Sequence, residues 1–151
     1  MARSFPWRHI LVWIDGTDSA DRAGRFAVSI AKAAGARLTA IAVVDTETLS
    51  SLLKQKFLVP DEMQDFEQEL TASSEKYLRN AQENAKKEGV KVDVVLLRGT
   101  CHSAVLAEQK KRSADLIVMG TFSAEEIRRD LTARGRQLLL DAAPVPVIVV
   151  P

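Results

Sequence analysis

The fold is decided by the stretch Asp115-Leu116-Ile117-Val118-Met119-Gly120-Thr121, in which a short apolar run ends in a glycine turn. A continuous apolar run of this length is typical of a strand that is covered on both faces of a sheet. A helix is predicted over about 124–140, and the apolar run Val145–Val150 follows as another strand. The stretch therefore predicts a strand–turn–helix–strand unit of a parallel sheet.

The same alternation of strands and helices runs through the whole chain. Strands are predicted at His9–Asp15, Arg37–Asp45, Lys91–Leu97, Leu116–Met119 and Val145–Val150. Helices are predicted at about Asp18–Ala34, Asp61–Glu88, Ser103–Arg112 and 124–140, with a short amphipathic piece between Leu49 and Phe57. The pattern predicts one Rossmann-like, doubly wound α/β domain over residues 1–151, with helices on both faces of a mostly parallel five-stranded sheet in the order 3-2-1-4-5. Ligands of such sheets bind beyond the carboxyl ends of the strands, here between the first and fourth strands.

The helix ends carry recognisable signals. Asp18 is predicted to cap the first helix, because its carboxylate can accept a hydrogen bond from an unpaired helix N–H. Gly35 and Gly89 are predicted to end the first helix and the long helix, since glycine readily adopts the left-handed conformation.

Composition limits the class of protein. The chain has 151 residues, of which 46% are apolar and 27% charged, with a net charge of +1. This balance predicts no general attraction to nucleic acid or membrane surfaces. The single cysteine, Cys101, excludes an intrachain disulfide and a cysteine cluster for metal, and no run approaches the ~20 apolar residues of a membrane span. We expect a cytoplasmic protein.

The chain resembles the universal stress protein family over nearly its whole length. The resemblance lies in these pieces, in order: Ile14-Asp15-Gly16-Thr17-Asp18; Ala36-Arg37-Leu38 through Val43-Val44-Asp45; Gly99; Ala114 to Thr121; and Ala143 to Val150. Members of that family that bind ATP carry a glycine motif, G-x-x-G-x9-G-[ST], after the fourth strand. Glycines there let backbone N–H groups approach phosphate oxygens.

Most of that motif is altered in this chain. Laid on the sequence without gaps, the motif places its first glycine on Gly120, its second on Ser123, its third on Ala133 and its hydroxyl residue on Arg134. The resemblance implies a candidate nucleotide site, for ATP with magnesium, made of Asp15, Val43, Met119, Gly120, Ser123, Ala133 and Arg134. Because one of four motif positions matches, we expect nucleotide binding to be lost or weakened and no cofactor to be bound.

Two residues of the candidate site and two neighbours have two interpretations. Trp13 either fills the space that a nucleotide base would need or packs under a helix. Asp15 either contacts ribose or metal-bound phosphate or caps its own turn. Gly120 and Thr121 either hold a phosphate or form only the exit turn of a strand.

The last predicted helix carries four arginines. They are Arg128, Arg129, Arg134 and Arg136, and acids in the same segment balance them. Pairs such as Glu125–Arg129 and Asp130–Arg134 are spaced to interact along one helix, which favours a solvated, self-paired helix. The alternative is that the guanidinium of Arg134 binds a phosphate.

Cys101 and His102 place a thiol beside an imidazole at the start of a predicted helix. A helix N-terminus lowers the pKa of a thiol, but adjacent residues rarely face each other as nucleophile and base. We expect neither a catalytic residue nor a metal site, since His9 and His102 alone do not form one.

The terminal strand Val145–Val150 is apolar throughout and lies at an edge in the predicted strand order. Bare apolar edges invite pairing, so we expect a homodimer through this strand. The resulting hypothesis is a non-enzymatic stress-response module that acts through protein contacts, with an unidentified protein partner and no nucleic acid or membrane. The loop region around Phe122 and the long helix are its expected contact surfaces. A nucleotide-binding regulator is the alternative, and an enzyme that uses Cys101 or slowly hydrolyses nucleotide is a third, more distant hypothesis.

Overall fold

The computed structural model describes residues 6–121 and 133–151. Its strands are β1 (His9–Trp13), β2 (Arg37–Asp45), β3 (Val92–Gly99), β4 (Leu116–Gly120) and β5 (Val147–Val150). Its helices are α1 (Asp18–Ala34), α2 (Thr46–Lys54), α3 (Pro60–Lys87), α4 (Cys101–Arg112) and α5 (Ala133–Ala142).

The five strands form one parallel sheet in the order β3-β2-β1-β4-β5, which confirms the predicted topology. β1 pairs with β2 from His9 opposite Arg37 to Trp13 opposite Ile41, and its other side pairs with β4. The strand order therefore reverses between β1 and β4, where the sequence predicts the ligand-binding edge.

Each face of the sheet carries its own apolar core. Because side chains alternate along a strand, Ile10 and Val12 lie on one face and Leu11 and Trp13 on the other. The first face packs against α1 and α3, through residues such as Ala27 and Leu78. The second packs against α4 and α5, through residues such as Val105 and Leu139. Residues of β1 and β4 are almost wholly buried between these layers, as their continuous apolar runs predict.

Several predicted boundaries need correction. Thr17, not Asp18, caps α1: its side chain accepts a hydrogen bond from the backbone N–H of Ala20, and Asp18 is the first helical residue. β3 continues to Gly99, α4 begins at Cys101, and β5 begins at Val147, after Pro146. The predicted end of α1 at Gly35 is confirmed, with a φ of 64°. The predicted helix over 124–140 is confirmed only in α5, because residues 124–132 lie outside the described part.

Within the described residues, no helix is both long enough and apolar enough to cross a bilayer.

Candidate functional site

The carboxyl ends of the strands bring several polar residues to one edge of the sheet. Asp15 follows β1, Asp45 ends β2, and Cys101 begins the helix after β3. Thr121 follows β4. Helix α5, which begins at Ala133, brings Arg136 to the same edge, where it contacts Asp15. The candidate nucleotide-binding residues are expected at this edge of the sheet.

Asp15 is held by the turn that it forms. Its Oδ1 accepts hydrogen bonds from the backbone N–H of Thr17 at 3.1 Å and from the Thr17 hydroxyl at 2.6 Å. Gly16 adopts a φ of +82°, and a Cβ there would overlap the ring of Tyr77, so the turn needs glycine for both conformation and space. The capping role weighed for Asp15 is therefore present.

The second carboxylate oxygen of Asp15 is bound by Arg136 of α5. The guanidinium donates from Nη2 to Oδ2, and Arg136 is only 2% exposed. Its Cζ also lies 5.2 Å from the centroid of the Trp13 ring, within the range of a cation–π contact. Burial lowers the pKa of Arg136 below its ordinary value, yet arginine still remains protonated at neutral pH.

This arrangement corrects the expectation for the arginine-rich helix. Arg136 is not part of a solvated helix face but a buried cation that joins α5 to the end of β1. Arg134, in contrast, is exposed. The predicted pairs Glu125–Arg129 and Asp130–Arg134 involve residues outside the described part.

Backbone N–H groups at this edge of the sheet also donate hydrogen bonds to acceptors within the chain. The N–H of Thr121 donates to the Val150 carbonyl at 2.8 Å, and the Ser19 hydroxyl donates to the Thr121 carbonyl at 3.2 Å. The N–H of Ala20 donates to the Thr17 hydroxyl oxygen. The exit of β4 is thus bonded to β5 and to the start of α1, which agrees with the exit-turn interpretation.

Gly120, the one matching glycine of the family motif, is required by packing. A Cβ at this position would lie 2.7 Å from the backbone nitrogen of Ala20 and 2.5 Å from the Ser19 hydroxyl. The N-terminus of α1 therefore approaches the backbone of β4 so closely that only glycine fits.

The other candidate residues separate into core and edge positions. Met119 is 1% exposed and belongs to the core under α4 and α5, against which Val43 also packs. Trp13 is 6% exposed in the same core, so the packing interpretation of this residue is correct. Ala133 begins α5, and Ser123 lies outside the described residues, as does Phe122.

Trp13, which Arg136 contacts, also lines a cavity formed by described residues. This cavity has a volume of about 390 Å³, and its walls include Trp13, Asp45, Thr100, Cys101, His102 and Arg134. Its volume falls within the range of small-molecule sites, about 300–1,000 Å³.

The environment of Cys101 in this cavity favours the protonated thiol. Burial, followed by the charge and hydrogen bond of Asp45, raises the pKa of the thiol to about 12. The lowering expected at a helix N-terminus is thus outweighed, and the thiolate that a cysteine nucleophile needs is scarce at neutral pH.

Comparisons with known proteins identify the family. The model of the universal stress protein family matches residues 6–151. The chain belongs to this family. It is 28% identical to a universal stress protein of Methanocaldococcus jannaschii, over 95% of this chain and 82% of that one.

Solved universal stress proteins share the fold. The structure of UspA from Lactobacillus plantarum matches with a TM-score of 0.77 and 25% identity and covers 100% of both chains. The universal stress protein from Archaeoglobus fulgidus in complex with dAMP matches with a TM-score of 0.65 and 20% identity, over 97% of this chain and 100% of that one. The resemblance seen in the sequence is confirmed.

Sequence reasoning missed the role of Arg136 in this universal stress protein. Arg136, Leu139, Leu140 and Ala143 follow helical spacing, and the last three pack into the core. This spacing is the sequence pattern that indicates a place for Arg136 on the inward face of the helix. The partner, Asp15, lies 121 residues earlier in the chain, so no local pattern could reveal the pair.

Proposed function

We propose that this universal stress protein is a non-enzymatic, homodimeric module that acts through protein contacts and binds no nucleotide at its altered site. The proposal includes a location in the cytoplasm. The observation that carries it is the ion pair between Asp15, which is partly exposed, and Arg136, which is buried.

The ion pair places the permanent positive charge of Arg136 at Asp15, a residue that the family resemblance assigns to nucleotide binding. Ribose or a metal-bound phosphate at Asp15 would have to displace the guanidinium of Arg136, which also contacts the Trp13 ring. Removing one partner of a buried pair leaves an uncompensated charge and costs about 3–5 kcal/mol. This cost opposes nucleotide binding.

The edge strand β5 supports the homodimer. Val149 is 39% exposed, and the other three residues of β5 are half-buried. Because Pro146 and Val150 direct their carbonyls at β4, alternation turns the backbone groups of Val147 and Val149 away from it. Two copies related by a two-fold axis can pair through these groups and bury the apolar side chains.

The raised pKa of the Cys101 thiol supports the non-enzymatic part of the proposal. Cys101 and His102 are adjacent in the chain and both border the cavity, yet the thiol is held protonated by burial and by Asp45.

Native mass spectrometry of the full chain, with and without magnesium and ATP, tests the proposal. We expect a dimer whose mass does not change when ATP is added. A mass increase of one nucleotide per subunit that saturates with ATP would overturn the proposed loss of binding. A monomer at every protein concentration would overturn the dimer.

A second candidate function is a nucleotide-binding regulator with a modified phosphate site. It is favoured by the cavity of about 390 Å³ that Arg134 borders and by the dAMP bound to the Archaeoglobus fulgidus relative. In that case ATP would raise the unfolding temperature, and Arg134→Ala would abolish the increase. Both functions predict that ATP does not change the unfolding temperature of Arg134→Ala. The deciding measurement is therefore whether ATP raises the unfolding temperature of the unsubstituted chain.

A further inference from the structure

The long helix α3 has two unequal halves. It has 28 residues, a length of about 42 Å, whereas the neighbouring edge strand β3 has only eight residues, or about 26 Å. The buried residues of α3 are Ser74, Leu78 and Ala85, all in its second half. No residue from Pro60 to Ser73 is buried. The first half therefore lies outside the core that holds the second.

The first half still carries an apolar stripe. Val59, Met63, Phe66 and Leu70 recur at helical spacing, and Phe57 precedes them. Exposed fractions are 69% for Phe57, 54% for Val59 and 39% for Phe66. We name residues 57–70 the acidic overhang, for the charges described next.

An acidic row runs beside this stripe. Glu62, Asp65 and Glu69 each directly precede an apolar residue of the stripe, so the two rows run in parallel along the helix. No lysine, arginine or histidine occurs from Phe57 to Glu75. Asp65 and Glu69 are exposed and form no ion pair within the described residues.

We propose that the acidic overhang is a docking surface for a basic amphipathic helix of a partner protein. Apolar side chains of such a helix would cover the stripe, and its lysines or arginines would lie against the acidic row. Nucleic acid and anionic membranes are repelled by the same row. The inference rests on the proposed function, because it names the chemistry of the protein contact.

A designed peptide provides the probe. We would label a peptide of about 18 residues in which lysine and leucine repeat with helical spacing, and compare it with a peptide of the same composition in scrambled order. Fluorescence anisotropy with the full chain should show binding of the first peptide only. Raising the salt from about 0.05 M to about 0.5 M should weaken this binding without abolishing it, because the apolar contacts remain.

Matched variants locate the site. The double variant Phe57→Ser/Phe66→Ser and the double variant Asp65→Lys/Glu69→Lys should each weaken peptide binding by about tenfold or more. The controls are Phe26→Ser, an exposed phenylalanine of α1 (43% exposed), and Glu83→Lys in the second half of α3, and neither should change the affinity. Urea unfolding of each variant verifies that it is folded.

A lack of binding by the helical peptide would overturn the proposal, and so would three further results. The first is equal binding of the scrambled peptide, and the second is an equal loss of binding in Phe26→Ser. The third is that the chain forms assemblies larger than a dimer and that the overhang variants abolish these larger assemblies. The occupant of the overhang would then be a second copy of this chain. Native mass spectrometry of the same variants keeps the two proposals separate: the overhang variants should remain dimers, so failed peptide binding would leave the dimer through β5 standing.

Discussion

Arg136 contacts two residues at the same time: Trp13, the last residue of β1, and Asp15, in the turn that follows β1. The guanidinium carbon lies 5.2 Å from the Trp13 ring centroid while Nη2 donates to the Asp15 carboxylate. One side chain thus binds α5 to the core face of β1 and to the turn beyond it. The contact holds together the two segments that flank the expected nucleotide position.

Replacing Arg136 by methionine should destabilise the fold. Arg136→Met keeps the apolar length of the side chain but leaves the Asp15 carboxylate, 21% exposed, without its cation. We expect a loss of about 3 kcal/mol in the free energy of unfolding, measured by urea denaturation.

Arg134→Met is the matched control for this change, because Arg134 is exposed on the same helix, and it should change stability by less than about 0.5 kcal/mol. The double variant Asp15→Asn/Arg136→Met should be less destabilised than the sum of the single variants, since no carboxylate remains unpaired. Equal losses in Arg134→Met and Arg136→Met would contradict a stabilising ion pair between Asp15 and Arg136.

A charge on β5 should break the dimer. Val149→Glu places a carboxylate on the outer strand, where two-fold pairing would bury it and bring it near its copy. We expect the mass in native mass spectrometry to fall from dimer to monomer. Val94→Glu is the control on the opposite edge strand, with 37% exposure against 39% at Val149, and it should remain dimeric. A dimer that survives Val149→Glu but not Val94→Glu would place the interface on β3.

The Cys101 thiol should react slowly with thiol reagents. With a pKa of about 12, its thiolate fraction at mildly alkaline pH is on the order of one in ten thousand. Asp45→Asn removes a negative charge that raises this pKa while keeping an acceptor for the α2 cap, so labelling by Ellman's reagent should become faster. Labelling of the unsubstituted chain at the rate of an exposed cysteine would refute this assignment.

Stability should fall in mild acid because of His9. Its Nδ1 lies 3.2 Å from the Arg112 carbonyl and so donates, which leaves Nε2 to accept from the Thr39 hydroxyl at 2.8 Å. Burial, the main cause, lowers the pKa of His9 from 6.5. The unfolded chain therefore binds the proton more readily, so the stabilisation is present above about pH 6.5 and is lost as the pH falls below it.

His9→Gln isolates this effect from the titration of carboxylates. The difference in free energy of unfolding between the unsubstituted chain and His9→Gln, measured at mildly alkaline and mildly acidic pH, should shrink in acid. A difference that stays constant over this range would show that His9 does not titrate differently in the folded chain.

The topology could be predicted because the apolar runs are long and clearly bounded. β2 was predicted with its observed ends, since Gly35 stops the preceding helix and Asp45 ends the run. The cap of α1 was assigned to Asp18 instead of Thr17 because both are good capping residues, and the sequence does not show which side chain accepts the helix N–H.

The site was less predictable, because its decisive contacts join distant segments. Trp13 and Met119 could be assigned to a core from their strands. The burial of Arg136 depends on Asp15, Trp13 and the path of α5 together. Arginine is almost never buried without a partner, so a composition-based interpretation assigns it to the surface.

Gly120 bears on how the family motif is interpreted in other chains. The backbone of α1 passes too close to β4 for any side chain, so this glycine would be retained for folding alone, even after a lineage had stopped binding nucleotide. A motif search counts it as partial preservation of a phosphate loop. Two other positions are more informative in related sequences. They show whether an arginine at the position of Arg136 occurs together with a large aromatic residue at the position of Trp13, two residues before the aspartate.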